Sequence, residues 1–273
     1  MQTGYYDAAA GMVTQFNRLN TISNNLANVN TAGFKEDNLI VGDFMRIYKE
    51  ARDELPHENN TKDGAKFLNR TMAKAPQIVD AYTDHSVGNM QKTSNPLDFA
   101  LSREGLFFAV KTPQGIRLTR DGSFSKNEEG TLVNKQGYEV LPADYFQTKE
   151  FIKINDKASI IEVDKNGQMY TNLPGTVKLG QGLRLFVSNP DSLAKIEKEG
   201  DNLYVYDGIE RTISLTESGA VLQNFVEKSN VNAVKMMTSL IETNRLVGMY
   251  QKVMDTQMND MNRDAITKIA AKV

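Results

Sequence analysis

Histidine, cysteine and converging carboxylates are the side chains best suited to chemistry, and this sequence uses them sparsely. It holds two histidines, His57 and His85, and no cysteine. Each histidine stands in a polar stretch, and neither lies at ligand spacing from another His or Glu. Both therefore read as solvated side chains rather than metal ligands or general bases. Without cysteine there are no disulfides and no thiolate metal sites. Asp164-Lys165-Asn166-Gly167 opens like a calcium loop, but the twelfth position, where a bidentate Glu is needed, holds Gly175. A hairpin turn accounts for it better. Gly180-Gln181-Gly182 lacks the third glycine and the helix of a dinucleotide site. Arg103-Glu104 and the stretch from Asp201 to Asp207 carry carboxylates that read as surface charges, and a glycosidase would need two that converge. The expectation is no catalytic residue, no metal and no cofactor.

The bulk properties narrow the partners. A net charge of −2 gives no blanket attraction for nucleic acid or an anionic membrane. No apolar run approaches the roughly 18 residues of a spanning helix. The first residues show no basic region followed by an apolar core, the mark of a cleaved secretory signal. By these rules the chain stays in the cytoplasm or leaves by a route they do not describe.

The elements that organise the chain are at its two ends. Tyr5, Met12, Leu19 and Leu26 recur every seven residues, accompanied by Ala8, Phe16, Ile22 and Val29. Leu240, Val247, Met254 and Met261 repeat the spacing near the other end, flanked by Met237, Leu246, Tyr250, Val253 and Met258. Such a recurrence lines one stripe of a helix, the pattern by which helices pack lengthwise. Helices are expected over residues 2–29 and 230–270, the first closed by a left-handed Gly33 with Phe34 folded back on it, the second capped by Ser229. The polar face of the first helix carries amides and a hydroxyl (Gln15, Asn17, Asn20, Thr21, Asn24, Asn25, Asn28) where a solvated helix normally carries Lys and Glu. That favours a helix enclosed by other helices.

Between the ends the pattern changes. Residues 37–93 read as a charged, extended connector, with a short helix over 43–55, a loop over 56–64 and a strand over 77–82. From about residue 95 short strands alternate with turns: 106–111, 116–120, 183–187 and 203–206 are strands, and Asp121-Gly122, Glu129-Gly130, Gln136-Gly137 and Asn166-Gly167 are turns. This indicates an all-β domain of sandwich or barrel type. The expected fold is α+β, with long terminal helices pairing as a coiled-coil-like core around a central all-β domain. The expected segments are an N-terminal core helix (1–36), the connector (37–93), the β-domain (94–216) and a C-terminal linker and core helix (217–273).

Three stretches resemble the bacterial flagellar rod and hook family of axial proteins. The first runs from Ser23 through Asn24-Asn25-Leu26-Ala27-Asn28-Val29-Asn30-Thr31-Ala32 to Gly33-Phe34-Lys35. The second runs from Asn95-Pro96-Leu97-Asp98-Phe99 through Gly105-Leu106-Phe107-Phe108 and Thr119-Arg120-Asp121-Gly122 to Gly137-Tyr138. The third is Ser229-Asn230-Val231-Asn232-Ala233-Val234, with Met237, Ile241, Arg245 and Asp255 in the helix that follows. The resemblance covers the chain from end to end in the family's order. It leans to a proximal-rod subunit, with a distal-rod or hook-type subunit as the alternative, and a non-flagellar fibre protein further off. It implies a structural, torque-transmitting subunit of a helical tube in the basal body, reaching the periplasm through the flagellar type III export apparatus without a cleaved signal. The implied partners are other rod subunits, proximal and distal, and that apparatus; no nucleic acid and no membrane span are implied. Too few large apolar residues line one helix pair to offset the entropy of ordering both ends. Each end is therefore expected to fold only against neighbouring subunits, leaving the lone chain with an ordered β-domain and disordered termini.

Overall fold

The computed structural model describes residues 2–43, 76–154, 160–172, 183–209 and 220–270. The expected helix over 43–55, the loop over 56–64, His57, Gly175 and Gly180-Gln181-Gly182 lie outside them, except that Asp43 ends the first strand. In chain order the elements begin with α1 (Gln2–Ala27), β1 (Asp37–Asp43), β2 (Pro76–Thr83), β3 (Met90–Lys92) and β4 (Phe99–Leu101). There follow β5 (Phe107–Thr112), β6 (Gly115–Thr119), β7 (Ser125–Lys126), β8 (Leu132–Val133), β9 (Glu139–Val140) and a one-turn α2 (Tyr145–Thr148). Then come β10 (Ile160–Val163), β11 (Gln168–Asn172), β12 (Leu183–Arg184), β13 (Val187–Ser188), β14 (Glu197–Gly200) and β15 (Leu203–Val205). The chain ends with β16 (Val221–Gln223), β17 (Phe225–Glu227) and α3 (Ala233–Ala270). The fold is α+β, and it divides into two compact units: Met1–Ala27, Asp37–Thr83 and Asn232–Val273 form one, Asn28–Glu36 and Asp84–Val231 the other.

In the first unit α1 and α3 pack against each other in the single chain, and β1 pairs antiparallel with β2. Small residues let the helices approach. A side chain at Gly4 would strike the Gln257 amide, and one at Gly11 would strike the Tyr250 ring. Seven residues forward on α1 correspond to seven back on α3, so the helices run antiparallel in step with the sequence spacing. Each terminal helix therefore has the other as a packing partner within the single chain.

In the second unit the long sheet has the order β14-β15-β6-β5-β9-β8-β7, with β13 also on β5. Alternation along β5 puts Phe108 and Val110 in one apolar cluster and Phe107 and Ala109 in another. Side chains of a strand point to opposite faces in turn, so this sheet is covered on both sides. The β5–β6 hairpin is closed by Pro113-Gln114, with Thr112 opposite Gly115. Asp121-Gly122 is not a hairpin, as the sequence suggested: Gly122 O accepts from the Phe99 N–H at 2.9 Å, holding β4 to the loop after β6. The calcium-like Asp164 is a turn former between β10 and β11. Its carboxylate accepts from the backbone N–H groups of Asn166 and Gln168, as the amide oxygen of Asn127 does for Glu129 and Thr131 and that of Asn134 for Gln136 and Tyr138. Each is followed three residues later by a glycine at positive φ.

Candidate assembly site

Two arrangements of functional residues emerge, one in each unit. The first is the surface of the helix pair. Of the α1 positions picked out by spacing, Ile22 is buried within the chain, Tyr5, Met12, Leu19 and Leu26 are half-buried, and Phe16 is 39% exposed; Val29, just past the helix, is also half-buried. On α3, Val247 is 5% exposed, Leu240, Met254 and Met261 are half-buried, and Met237 is 52% exposed. Much of the predicted stripe is therefore consumed inside the chain, because each helix already has the other as partner. Large apolar residues that spacing did not single out as interface, Tyr6, Val13, Ile241 and Met249, are exposed instead. The amides Asn17, Asn20 and Asn24 are exposed as well, while Gln15 and Asn25 are buried.

Asn25 has a defined task. Its Nδ2 donates to Asp37 O at 2.7 Å, and its Oδ1 accepts from the Asp37 N–H at 3.0 Å. One buried amide thus supplies both halves of a backbone-like pair, tying the last turn of α1 to the start of β1. Ala27 and Asn28, next in the motif, lie at the helix end, exposed and half-buried.

The second arrangement is a buried ionic cluster. Lys35 Nζ donates to Glu227 Oε1 and to Ser86 O, each at 2.6 Å. Arg120 Nε donates to Glu227 Oε2 at 2.8 Å, and its other nitrogens reach the carbonyls of Arg103, Leu106 and Leu101. The Gly88 N–H donates to Glu227 Oε1 at 2.8 Å, and the Gly33 N–H to Glu227 O at 2.8 Å. Lys35, Arg120 and Glu227 are each about 1% exposed. Burial, and after it the Arg120 guanidinium, pull Lys35 below the usual lysine range, while Glu227 and Asp84 oppose them. Beside them His85 lies against the rings of Phe107 and Tyr204. Burial, then Lys35 and Arg120, lower its pKa to about 4. The reading of His85 as solvated is thus overturned: the polar letters around it in sequence belong to a segment folded into the domain.

The remaining motif residues fasten this cluster. Gly33 is not the cap of α1, which ends six residues earlier at Ala27. It has φ +70°, and a Cβ there would lie 2.4 Å from Asp121 N, so close backbone approach demands glycine. Thr31, half-buried, belongs to the turns leading to it, its N–H bonded to Asn28 O. Phe34 is buried with Lys198 Nζ 3.9 Å over its ring. Asn202 Nδ2 donates to Ala32 O, and Asn230 both accepts from the Glu36 N–H and donates to Asp84 O. Ser229 does not cap α3 either. Its hydroxyl accepts from the Val231 N–H, Val231 is buried, and the cap is Asn232, whose Oδ1 accepts from the Lys235 N–H. Glu227 and Asp84 escaped the sequence reading. A lone acid in the strand Phe225-Val226-Glu227 was the available signal, but nothing in one sequence couples it to Lys35, 192 residues away.

Comparison with known proteins matches three family models: "Flagella basal body rod protein" over residues 6–35, "Flagellar hook protein FlgE/F/G D1 domain" over 104–171 and "Flagellar basal body rod FlgEFG protein C-terminal" over 222–267. The flagellar basal-body rod protein FlgG of Buchnera aphidicola (from Acyrthosiphon pisum) is 32% identical over 90% of this chain and 92% of its own. The rod protein FlgF of Caulobacter vibrioides is 30% identical over 98% of both chains, and FlgG of Agrobacterium fabrum 30% over 91% and 93%. The chain belongs to the flagellar basal-body rod family. Each rod-family match contributes one member of the ionic cluster: Lys35 closes the first, Arg120 lies in the second, and Glu227 in the third. The family's separate sequence blocks meet at one carboxylate.

Proposed function

We propose that this rod-family chain, a structural subunit of the flagellar basal-body rod, pairs α1 and α3 as a coiled-coil-like core and builds a helical tube by docking that pair on other rod subunits. The observation that carries this is the surface of the pair: Phe16, Met237 and Ile241 (60% exposed) leave apolar area on helices already partnered with each other. Exposed apolar patches of this kind mark interaction sites. The exposed amides beside them suit an enclosed setting. A tube of lengthwise helices resists twisting, so we read the role as torque transmission and as non-enzymatic. Within the tube we place the subunit in the proximal rod, in the periplasm, delivered by the flagellar type III export apparatus without a cleaved signal. The distal rod is the second reading. A tagged copy followed through isolated basal bodies tests the assignment, with its position relative to other rod subunits deciding proximal or distal. Absence from intact basal bodies of motile cells overturns it.

A further inference from the structure

The first unit holds a cleft of about 320 Å³ between α1, β1 and the start of α3. Its apolar wall is Ile22, Leu39, Val41 and Met236, and Arg18 and Lys235 stand on it exposed. The Asp37 carboxylate, also in the lining, is engaged by the Thr83 hydroxyl at 2.8 Å. Wall and cations together suit an apolar ligand surface carrying negative charge.

The opposite end of the same helix pair has that character. The contacts of Gly4 with Gln257 and Gly11 with Tyr250 fix the register, so Asp255 stands level with Tyr6 and Asp7. Tyr6 is 68% exposed, Met258 is exposed, Asp255 is exposed and Asp7 half-buried. On α3, residues 251, 255, 258, 262 and 266 share a stripe, so Asp255 and Met258 point the same way, and Lys252 and Arg263 fall on the next stripe. The only charged residues of α1 are Asp7 at this end and Arg18 at the cleft end. From Lys235 to Asp255 the helix rises roughly 30 Å at about 1.5 Å per residue, too far for one chain to fill its own cleft.

We propose that the cleft receives the far end of a second copy's helix pair, Arg18 and Lys235 meeting Asp255 and Asp7 while Met258 and Tyr6 enter the apolar wall. The contact joins two different surfaces, head to tail, and so propagates rather than closing. It rests on the rod reading and supplies the axial contact within it. The test is sedimentation velocity of the full chain over a concentration series at low and high salt. Wild type gives an open series of species that shortens with salt. Arg18→Glu/Lys235→Glu and Asp7→Lys/Asp255→Lys each weaken association at least tenfold with unchanged circular dichroism. Mixed one to one they regain the open series, since intact tip meets intact cleft and reversed cleft meets reversed tip in alternation, and the chain carrying all four changes regains it alone. A wild type that stays monomeric, a ceiling at a closed dimer, or double variants that associate like wild type overturns the proposal. In cells, variants entering basal bodies as wild type does defeat this contact and spare the rod reading. Wild type missing from basal bodies defeats the reading itself.

Discussion

Glu227 is the residue on which the second unit turns. Its carboxylate takes donors from Lys35, Arg120 and Gly88, and none of the three charged groups can reach water. Removing one partner of a buried ion pair costs about 3–5 kcal/mol because the other is left uncompensated. Glu227→Gln, which strands two cations, should lower stability by that amount in urea titrations. Lys35→Met should cost less, since Arg120 keeps its partner; equal losses would show that the two cations do not compete for one carboxylate. His85 adds a pH term of known sign. Its pKa is about 4 when folded and 6.5 when unfolded, so between those values the unfolded state holds more protons. Its contribution is flat above about pH 6.5, and stability falls as pH drops from there towards 4. His85→Phe should flatten that part of the wild-type profile while leaving the carboxylate-driven loss at lower pH.

At the scale of elements, the helices show which signals a sequence carries. Seven-residue spacing located α1 and α3 well, because periodicity is local. It could not say which side of each stripe the other helix would take, since that depends on Gly4 and Gly11 meeting Gln257 and Tyr250 across the pair. Cap assignments failed too: Gly33 has the right letter yet is claimed by a contact distant in sequence, with Glu227 O, and the Ser229 hydroxyl is taken two residues on by the Val231 N–H, which leaves the cap to Asn232. The polar motif residues were legible as a signature, but their convergence on one carboxylate was not. The division between buried and exposed stripes makes a discriminating pair of variants. Val247→Asp puts a charge inside the helix pair and should unfold it, with loss of helical circular dichroism. Ile241→Asp alters an exposed position, so the lone chain should keep its helices and thermal midpoint while incorporation into basal bodies fails. Normal incorporation of the second variant would remove that face of α3 from the docking surface.

Across the whole molecule the two units have separate means of support. The first rests on apolar packing between helices and on the Asn25 clamp to β1. The second rests on two apolar clusters over one sheet and on the ionic cluster, every partner of which lies in Asn28–Glu36 or Asp84–Val231. Stability need not be uniform across a chain of two compact units, and such units open at different free energies. Heating should therefore give two transitions, a helical one at lower temperature because the pair leaves so much apolar surface wet, and a later one reporting the β-unit. Variants at sites with no common partner act additively and locally. Val247→Asp should then abolish the first transition and leave the second in place, while Glu227→Gln should lower the second and leave the first. Calorimetry with circular dichroism at a helical wavelength separates the two, since the long helices α1 and α3 both belong to the first unit. A single transition displaced by both substitutions would mean that the helix pair and the β-unit fold as one, and the pair would then be part of the domain's own foundation rather than a docking element in its own right.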